Sequence, residues 1–321
     1  MSDLTHIIRN YRPEDFDDLI RLGAECEKTD QAYCGTFHQD LIESIGQPNH
    51  FPENNLFVAE KNGNILGYID VMPELNIGRV VLSIIVHPEH CRKGLPKNLV
   101  ERATDRAREL GVNIIHVNIP QDNVMAKSLF SKMGFNFVRL FFEIRLYMAK
   151  THLPKPNKMT QSCRQLRHGE EDKLLEIQNR SFADTWGYNP NTIEEIMYRI
   201  SLPGWSPEDI IITSEADRLI GYCWTRSKSG EDKPISGDIG RIYMLGVDPD
   251  HRGKRVGKHV LMAGLSLLKS RGVRIVELTV DSANKAALAL YKPVGFQVWT
   301  NSLWYEMVLK QFPVQSTLTR Q

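Results

Sequence analysis

The two halves of this chain contain the same residues in the same order, a pattern typical of a duplicated fold. The matched segments, each separated from its counterpart by 161 positions, are Val86-His87-Pro88-Glu89-His90 with Val247-Asp248-Pro249-Asp250-His251, Gly111-Val112 with Gly272-Val273, Asn123 with Asn284, and Gly134-Phe135 with Gly295-Phe296. A chain of 321 residues has room for two cores of ordinary size. We therefore predict two domains of one fold, over residues 1–150 and 161–321.

The separation between the copies is shorter near the start of each copy. Gly67-Tyr68 matches Gly221-Tyr222 at 154 positions, so the second copy carries about seven additional residues. We assign them to the polar stretch Ser227–Gly237, whose composition is typical of a loop. Residues 151–160 contain two prolines and no apolar periodicity. They are predicted to be a linker.

Apolar periodicity in the second copy predicts a mixed order of strands and helices. The predicted strands are Ser162–Leu166, Ile210–Ser214, Leu219–Arg226, Arg241–Val247, Ile275–Val280 and the extended segment Val298–Leu309. The predicted helices begin near Glu170, Thr192, Arg255 and Asn284, and the long one continues to Ser270 with one buried face. The fold class is therefore α/β with a mixed sheet, formed twice.

Composition excludes several classes of protein. With 41% hydrophobic and 25% charged residues and a formal net charge of +1, the chain resembles neither a disordered segment nor a coiled coil, and no nucleic-acid partner is expected. The segment Met1–Tyr11 lacks the pattern of a secretory signal, and no apolar run is long enough for a membrane span. Five cysteines show no C-x-x-C pair and no zinc-like spacing with histidine. We expect a cytoplasmic protein with reduced thiols and no metal.

A strand that runs directly into a turn and a helix is the central motif of the second copy. Met244–Val247 forms the predicted strand end, and Arg252–Lys258 begins the predicted helix. The first N–H groups of a helix have no partner within the helix, and the helix dipole favours an anion there. This pattern indicates a site for a diphosphate.

The segment Arg252-Gly253-Lys254-Arg255-Val256-Gly257 resembles the R/Q-x-x-G-x-G/A loop of the Gcn5-related N-acetyltransferases, which holds the CoA pyrophosphate. The resemblance implies acetyl-CoA as the donor substrate. It also implies that the donor is bound by Leu245, Gly246, Val247, Arg252, Gly253, Lys254, Arg255, Val256, Gly257, Lys258, Asn284 and Ala287. Arg255 replaces the central glycine of the loop. This replacement is tolerable with helical dihedral angles and weakens the site if φ is positive.

A second motif follows the next strand. Asn284-Lys285-Ala286-Ala287-Leu288-Ala289-Leu290-Tyr291, followed by Gly295-Phe296, resembles the N-x-x-A-x-x-L-Y-x-x-x-G-F segment of the same family. The resemblance implies that Asn284 helps to bind CoA, that Ala287 gives the pantetheine arm room to pass, and that Tyr291 protonates the departing thiolate. The alternative for Tyr291 is a tyrosine packed against the sheet.

The first copy departs from both motifs. Cys91, Arg92 and Pro96 occupy the positions of Arg252, Gly253 and Gly257, and Phe130 occupies that of Tyr291. Proline has no N–H to donate and phenylalanine has no proton to give. Gly94 and Asn123 are retained, so CoA binding without turnover stays open for this copy. We predict that catalysis takes place in the second copy.

The general base and the acceptor amine are less constrained. Strand alternation places Glu277, Thr279 and Asp281 on the face opposite Val276, Leu278 and Val280, which makes Glu277 a candidate base. Asp238, before the preceding strand, is another, and either carboxylate is equally compatible with a solvated surface role. Arg226 and Arg241, on neighbouring strands, would favour an acceptor that carries a carboxylate or phosphate. The alternative is that both arginines are exposed at strand ends and do not contact the acceptor.

The second half is also similar to the mycothiol synthases, a tandem branch of this family, over Gly240–Gly257, Val276–Phe296 and Asn179–Phe182. Arg241 stands where that branch has a glutamate that handles its amino-sugar substrate, and Thr279 replaces a tyrosine. This departure argues against that substrate. Four aromatic residues are candidates for the acceptor cleft or for core packing: Trp186, Tyr188, Trp205 and Trp224.

Three functions stay open at this point. The first is an N-acetyltransferase, hence an acyltransferase, acting on a small-molecule primary amine. The second is a nonenzymatic acyl-CoA-binding module, and the third is a peptide or protein N-terminal acetyltransferase. Because two homologous domains in one chain can pack as a homodimer would, a monomer is expected.

Overall fold

The computed structural model describes residues 6–28, 41, 43–91, 94–151, 162–227 and 239–309. It forms two compact units, one of Met1–Val138 with Leu303–Gln321 and the other of Arg139–Ser302. Each unit thus contains chain from both halves of the sequence. The domain ranges 1–150 and 161–321 remain a prediction about the two homologous copies. Most of the predicted linker and all but the first residue of the loop Ser227–Gly237 lie outside the described residues.

The first unit is a sheet with helices on both faces. Its strands are β1 (Ile7–Asn10), β2 (Leu56–Lys61), β3 (Asn64–Glu74), β4 (Arg79–Val86), β5 (Ile114–Pro120) and the last part of β12 (Gln297–Val308), adjacent in that order. Its helices are α1 (Phe16–Lys28), α2 (Pro52–Asn55), α3 (Leu95–Glu109) and α4 (Val124–Lys132). Only the β4–β5 pair is parallel among the registers of the described strands, so the sheet is mixed.

The second unit repeats this arrangement. Its strands, in spatial order, are β6 (Asn136–Tyr147, from Arg139), β11 (Ile275–Asp281), β10 (Ile239–Val247), β9 (Arg218–Ser227), β8 (Ile210–Glu215) and β7 (Arg164–Gln165). Its helices are α5 (Glu171–Phe182), α6 (Ile193–Ser201), α7 (Val256–Ser270) and α8 (Lys285–Tyr291). The β10–β11 pair is parallel and its neighbours are antiparallel. The predicted mixed α/β fold is confirmed.

Two apolar layers fix the sheet of the second unit between its helices. On one face α7 packs against β9, β10 and β11, and the buried contacts include Leu265, Leu268, Val276 and Leu278. On the other face α5 and α6 pack against β8 and β9, with Leu174, Ile196 and Trp224 in the buried layer. The layer under α7 contains the apolar stripe that the sequence pattern of this helix predicts. These layers position the end of β10 and the starts of α7 and α8.

The cysteines that the structure describes are thiols rather than disulfides, namely Cys26, Cys91, Cys163 and Cys223. Burial raises the pKa of the Cys223 thiol far above its ordinary value, so it stays protonated. Cys34 lies outside the described residues. Of the helices within the described ranges, none has the length and apolar character that a bilayer span requires.

Candidate active site

A cavity of about 660 Å³ lies in the second unit, where β10 ends and the two motif helices α7 and α8 begin. This volume is within the range of small-molecule sites. The cavity wall includes most of the residues that the family resemblance assigns to the donor. They are Leu245, Gly246, Val247, Arg252, Gly253, Arg255, Val256, Gly257, Lys258, Asn284 and Ala287, together with Tyr291. Lys254 does not line it.

A bulge interrupts β10 shortly before the end of this strand at the cavity. The register between β9 and β10 shifts between Ile242 and Met244, so Tyr243 is an additional residue on β10. In the first unit the corresponding strands, β3 and β4, pair without a shift from Gly67 to Glu74. The bulge therefore distinguishes the second copy from the first. It lies shortly before Leu245, Gly246 and Val247, which line the cavity.

Gly246 lets helix α5 approach the end of β10 closely. A Cβ atom at this position would lie 2.4 Å from the Tyr222 ring and 2.8 Å from the Ser181 side chain, closer than atoms can pack. Ser181 is buried near the end of α5 and also lines the cavity. The absence of a side chain at Gly246 thus brings the last turn of α5 against the strand that forms the cavity floor.

The helix start that faces the cavity contains a left-handed residue. Arg255 precedes α7 with φ 64° and ψ 7°, in the left-handed region that favours glycine. The matched residue of the first copy is Gly94, with φ 79° and ψ −10°. Arg255 therefore does not have the helical dihedral angles that would make it a neutral replacement. The backbone turn of the family loop is kept, at a conformational cost of about 1 kcal/mol.

Arg252 has a partner within the protein. Its Nη2 donates a hydrogen bond of 2.8 Å to the carbonyl oxygen of Ser181. Carbonyl groups near the end of α5 carry the negative end of its dipole, so the guanidinium is well placed there. The contact connects the loop before α7 to the helix on the opposite wall of the cavity.

The turn between β10 and α7 is anchored by a buried carboxylate. Asp248 is fully buried and accepts hydrogen bonds from Arg180 Nε at 3.0 Å and Arg218 Nη2 at 3.1 Å. The backbone N–H of Asp250 donates to the same carboxylate at 3.0 Å. Burial alone would raise the pKa of Asp248, but the hydrogen bonds from Arg180 and Asp250 outweigh it and lower the pKa to about 2. The turn is therefore held by a group that is charged throughout the neutral pH range.

Asn284 and its counterpart Asn123 both begin a helix. The Asn284 Oδ1 accepts a hydrogen bond of 3.0 Å from the Ala287 N–H, and the Asn123 Oδ1 accepts one of 2.9 Å from the Ala126 N–H. Each is an N-cap, which satisfies an otherwise unpaired helix donor. Helix capping alone explains an asparagine at this position of the first copy, whether or not that copy binds acetyl-CoA.

Tyr291 lies at the end of α8 with its ring in the core and its surface on the cavity. Only 6% of the residue is exposed, and its ring packs edge-to-face on Phe296 at 5.5 Å between centroids. Burial raises the pKa of the phenol well above its ordinary value, with a smaller contribution from Cys223. Phe130 makes the same contact with Phe135, at 5.0 Å. The two copies therefore differ here by one hydroxyl group in equivalent packing.

The predicted base candidates have different positions. Asp238 lies outside the described residues. Glu277 lies on the predicted face of β11, but it pairs with Arg145 and is not part of the cavity wall. Val276, Leu278 and Val280 are buried against α7, so the predicted alternation of this strand is confirmed.

The predicted acceptor residues do not line the cavity. Arg226 and Arg241 face each other in register, as neighbouring strands predict. The Arg226 guanidinium lies 4.4 Å from the centre of the Trp205 ring. Arg241 donates to the Thr279 hydroxyl at 2.8 Å, and that hydroxyl donates to Glu143 at 2.7 Å. These side chains are thus engaged by other parts of the unit.

Of the aromatic candidates, only Trp186 forms part of the cavity wall. Trp205 and Trp224 pack edge-to-face with Tyr243 in the apolar layer under α6. Tyr188 stacks on Phe182 at 5.3 Å and donates a hydrogen bond of 2.7 Å to Asn179. Core packing therefore accounts for Trp205 and Trp224.

Several wall residues were missed by sequence reasoning, among them Arg139 and Asp184. Arg139 pairs with Asp281 at 3.1 Å, and its guanidinium lies 5.3 Å from the centre of the Trp186 ring. Asp184, on the segment after α5, also lines the cavity. Arg139 precedes the second copy in sequence, so no motif of that copy contains it. For Asp281, the residue that pairs with Arg139, the sequence did offer a signal, because the alternation of β11 places it on the same face as Glu277 and Thr279.

Comparison with known proteins agrees with this geometry. The model of the acetyltransferase (GNAT) family matches residues 19–135 and again 172–296. A mycothiol acetyltransferase of Thermobispora bispora is 32% identical over 228 residues, which cover 70% of this chain and 74% of that protein. A GCN5-related N-acetyltransferase from Sphaerobacter thermophilus superposes with TM-score 0.71 at 20% identity, covering 96% of each chain.

A tandem GNAT protein from the clavulanic acid biosynthesis pathway has the same TM-score of 0.71, at 14% identity, covering 96% of this chain and all of that one. The twofold match of the family model agrees with the internal repeat. The chain therefore belongs to the acetyltransferase (GNAT) family as a tandem member, and it is an N-acetyltransferase.

Proposed function

We propose that the second copy transfers the acetyl group of acetyl-CoA to the primary amine of a small-molecule acceptor. The observation that carries the proposal is the cavity in which the start of α7, the end of β10 and the buried Tyr291 meet. N–H groups of the first turn of α7 suit the pyrophosphate, as an anion at a helix start. Asn284 and Ala287 line the path along which the pantetheine arm would extend.

In the proposed reaction, the amine nitrogen attacks the thioester carbonyl carbon and the C–S bond breaks. Backbone N–H groups beside Leu245–Val247 stabilise the developing oxyanion, since they are fixed by the strand and need no reorganisation. Tyr291 donates its phenolic proton to the departing sulfur. Its raised pKa keeps that proton in place throughout the neutral pH range.

The amine must lose a proton during the attack. Asp184 and Asp281 are carboxylates of the cavity wall that can accept it directly or through water. Asp281 is paired with Arg139, whereas Asp184 is exposed. Glu277 and Asp238 remain candidates from the sequence, and each would need water to connect it to this cavity.

The acceptor is defined by class alone. A relative whose name is mycothiol acetyltransferase supports a small molecule rather than a protein. Arg241 and Thr279 depart from that branch in the sequence, so we do not assign the relative's substrate to this chain. An acceptor with a carboxylate or phosphate, as predicted from Arg226 and Arg241, gains no support from the cavity wall. The monomeric state is likewise a prediction.

The test is acetyl-CoA-dependent thiol release by the full chain against amino sugars, polyamines, amino acids and short peptides. Product mass should increase by one acetyl group on a primary amine. Titration of CoA by calorimetry separates the alternatives: CoA binding without turnover on any amine would favour a nonenzymatic module. Absence of CoA binding would overturn the proposal altogether. Acetylation restricted to cationic, acid-free amines would remove the predicted role of Arg226 and Arg241.

A further inference from the structure

The turn that follows β4 in the first copy carries a cluster of metal-binding side chains. His87, Glu89 and His90 each present a ligand atom within 4.8 Å of the other two. The two imidazole rings lie 5.7 Å apart between centroids. Imidazole and carboxylate groups are the nitrogen and oxygen ligands that Zn²⁺ takes in proteins. Our expectation of no metal considered cysteine spacing, and this turn contributes histidine and glutamate instead.

A further carboxylate, on helix α1, lies beside His87. The Glu25 carboxylate lies 3.9 Å from His87 Nε2, and about half of its side chain is exposed. The turn and α1 together therefore offer two imidazoles and two carboxylates, with Glu25 beside His87 and outside the group of three whose ligand atoms are mutually close. Two nitrogens and two oxygens complete a tetrahedral set.

The second copy shows what this junction does. There Arg180, on α5, contacts both acidic residues of the matched turn, Asp248 at 3.0 Å and Asp250 at 3.2 Å. Arg218 adds a second contact to Asp248 at 3.1 Å. Two guanidinium groups thus balance two carboxylates and connect the helix to the turn.

The first copy has lost both of these cations at the matched positions. The separation of 155 that relates Arg9 and Arg12 to Arg164 and Arg167 makes Glu25 the counterpart of Arg180. The separation of 154 makes Asn64 the counterpart of Arg218. The same junction therefore has two carboxylates, Glu25 and Glu89, and two imidazoles, His87 and His90, in the places of the two aspartate–arginine pairs. A divalent cation would restore the balance that the arginines provide in the second copy.

We propose that the first copy binds one divalent transition-metal ion through His87, His90, Glu25 and Glu89. The ion connects α1 to the turn after β4, as Arg180 connects α5 to the turn after β10. The His87 Nδ1 accepts a long hydrogen bond of 3.3 Å from the Glu89 N–H. If His87 coordinates the metal through Nε2, its proton is on Nδ1, so this hydrogen bond is lost and a metal bond is gained. The exposed side chains of Glu25 and Glu89 can close the remaining distance by rotation.

The test uses the untagged full-length chain, freed of metal by a chelator and titrated with Zn²⁺ in a calorimeter. We expect one Zn²⁺ per chain, and a visible absorption spectrum typical of tetrahedral coordination when Co²⁺ replaces Zn²⁺. His87→Gln and His90→Ala should each weaken Zn²⁺ binding by about tenfold or more, because each removes a ligand. Glu25→Arg, which installs the arginine of the second copy, should abolish binding while circular dichroism stays unchanged.

The matched control is His168→Ala. His168 is another surface histidine beside a carboxylate, with 3.7 Å between its Nδ1 and Glu171 Oε1. Its removal should leave the affinity for Zn²⁺ unchanged. An equal loss in His168→Ala would mean nonspecific binding by surface imidazoles and would overturn the proposal. Absence of saturable binding by the wild type would also overturn it.

Discussion

The two copies share a backbone at the start of their long helices and differ in the groups attached to it. Gly94 and Arg255 both precede the helix with positive φ, and Asn123 and Asn284 both cap the next helix. The hydroxyl of Tyr291 and the N–H of Gly257 have no counterpart in Phe130 and Pro96. The difference teaches that both copies keep the turn and the caps, whereas the phenol and the additional N–H are not required for the fold; our proposed function assigns these two groups to the ligand.

The comparison is sharpest at Tyr291, where the first copy supplies the control residue. Tyr291→Phe should lower kcat by about 100-fold or more, the usual contribution of a general acid, and leave CoA affinity unchanged. The variant should fold normally, because Phe130 already packs in the equivalent site. Steady-state kinetics and CoA calorimetry measure the two effects separately. An unchanged kcat would remove the assigned role of the phenol.

The pH profile of the wild type tests the same residue independently. The pKa of Tyr291 is raised by burial, so the proton is lost only above the ordinary tyrosine value of about 10. The rate should therefore not fall between pH 8 and about 10 through ionisation of this phenol. A decline in this range that disappears in Tyr291→Phe would contradict the raised pKa.

Variants of Asp248 test how strongly its carboxylate anchors the turn between β10 and α7. Asp248→Asn removes a buried carboxylate from two arginines and should lower the free energy of unfolding by about 3 kcal/mol, measured by chemical denaturation. Asp250→Asn, at an exposed carboxylate that meets Arg180, is the matched control and should cost less than about 1 kcal/mol. Equal losses would mean that burial at Asp248 adds nothing.

The stabilisation by Asp248 should also depend on pH, and its direction follows from the pKa of the carboxylate. The folded pKa of Asp248 is about 2, below the unfolded value of about 3.9, so the folded state is stabilised by its ionisation above pH 4. This contribution is lost as the pH falls from about 4 to about 2. The stability of Asp248→Asn should accordingly fall less steeply than that of the wild type over this range.

Variants of Gly257 distinguish the loss of its backbone N–H from the addition of a side chain. Gly257→Pro introduces the first copy's Pro96 and removes one N–H near the start of α7, where proline is tolerated. One hydrogen bond to a charged phosphate is worth about 1.5–3 kcal/mol, so CoA affinity should fall between about 10- and 100-fold. Calorimetry with CoA measures the loss.

Gly257→Ala is the control, because it keeps the N–H. Its added Cβ would lie 3.3 Å from Val247 and 3.4 Å from Leu290, a tight but tolerable fit. The loss of affinity should therefore be clearly smaller than in Gly257→Pro. If both variants lose the same affinity, crowding rather than the missing donor distinguishes the copies here.

Sequence reasoning predicted the regular elements well, since they depend on strong local patterns. The helix predicted over Arg255–Ser270 occupies Val256–Ser270, and the strand predicted over Arg241–Val247 extends from Ile239. The bulge at Tyr243 was not predicted, because register depends on the partner strand and not on the strand's own residues. The conformation of Arg255 was left conditional for a similar reason, because the backbone turn overrides its local preference.

Side-chain direction was the other limit. Arg226 and Arg241 were correctly predicted on neighbouring strands, yet the rings and carboxylates around them decide where their guanidinium groups lie. Arg139 could not be assigned to the cavity from the motifs of the second copy, because it comes from the preceding strand β6. A duplicated sequence thus predicts which residues of the two copies are equivalent, but it does not predict which side chains are in contact in the folded unit.

Arg255 gives the smallest expected effect and tests whether the left-handed turn is strained. Arg255→Gly should raise the free energy of unfolding by about 1 kcal/mol, because the left-handed region costs a residue with a side chain about that much or more. Arg255→Ala keeps the Cβ atom and should give no gain. The reciprocal change, Gly94→Ala, should destabilise the first copy by a similar amount through backbone strain alone, since a Cβ atom there would meet nothing within 4 Å. A gain in Arg255→Ala equal to that in Arg255→Gly would instead assign the cost to the guanidinium among its basic neighbours.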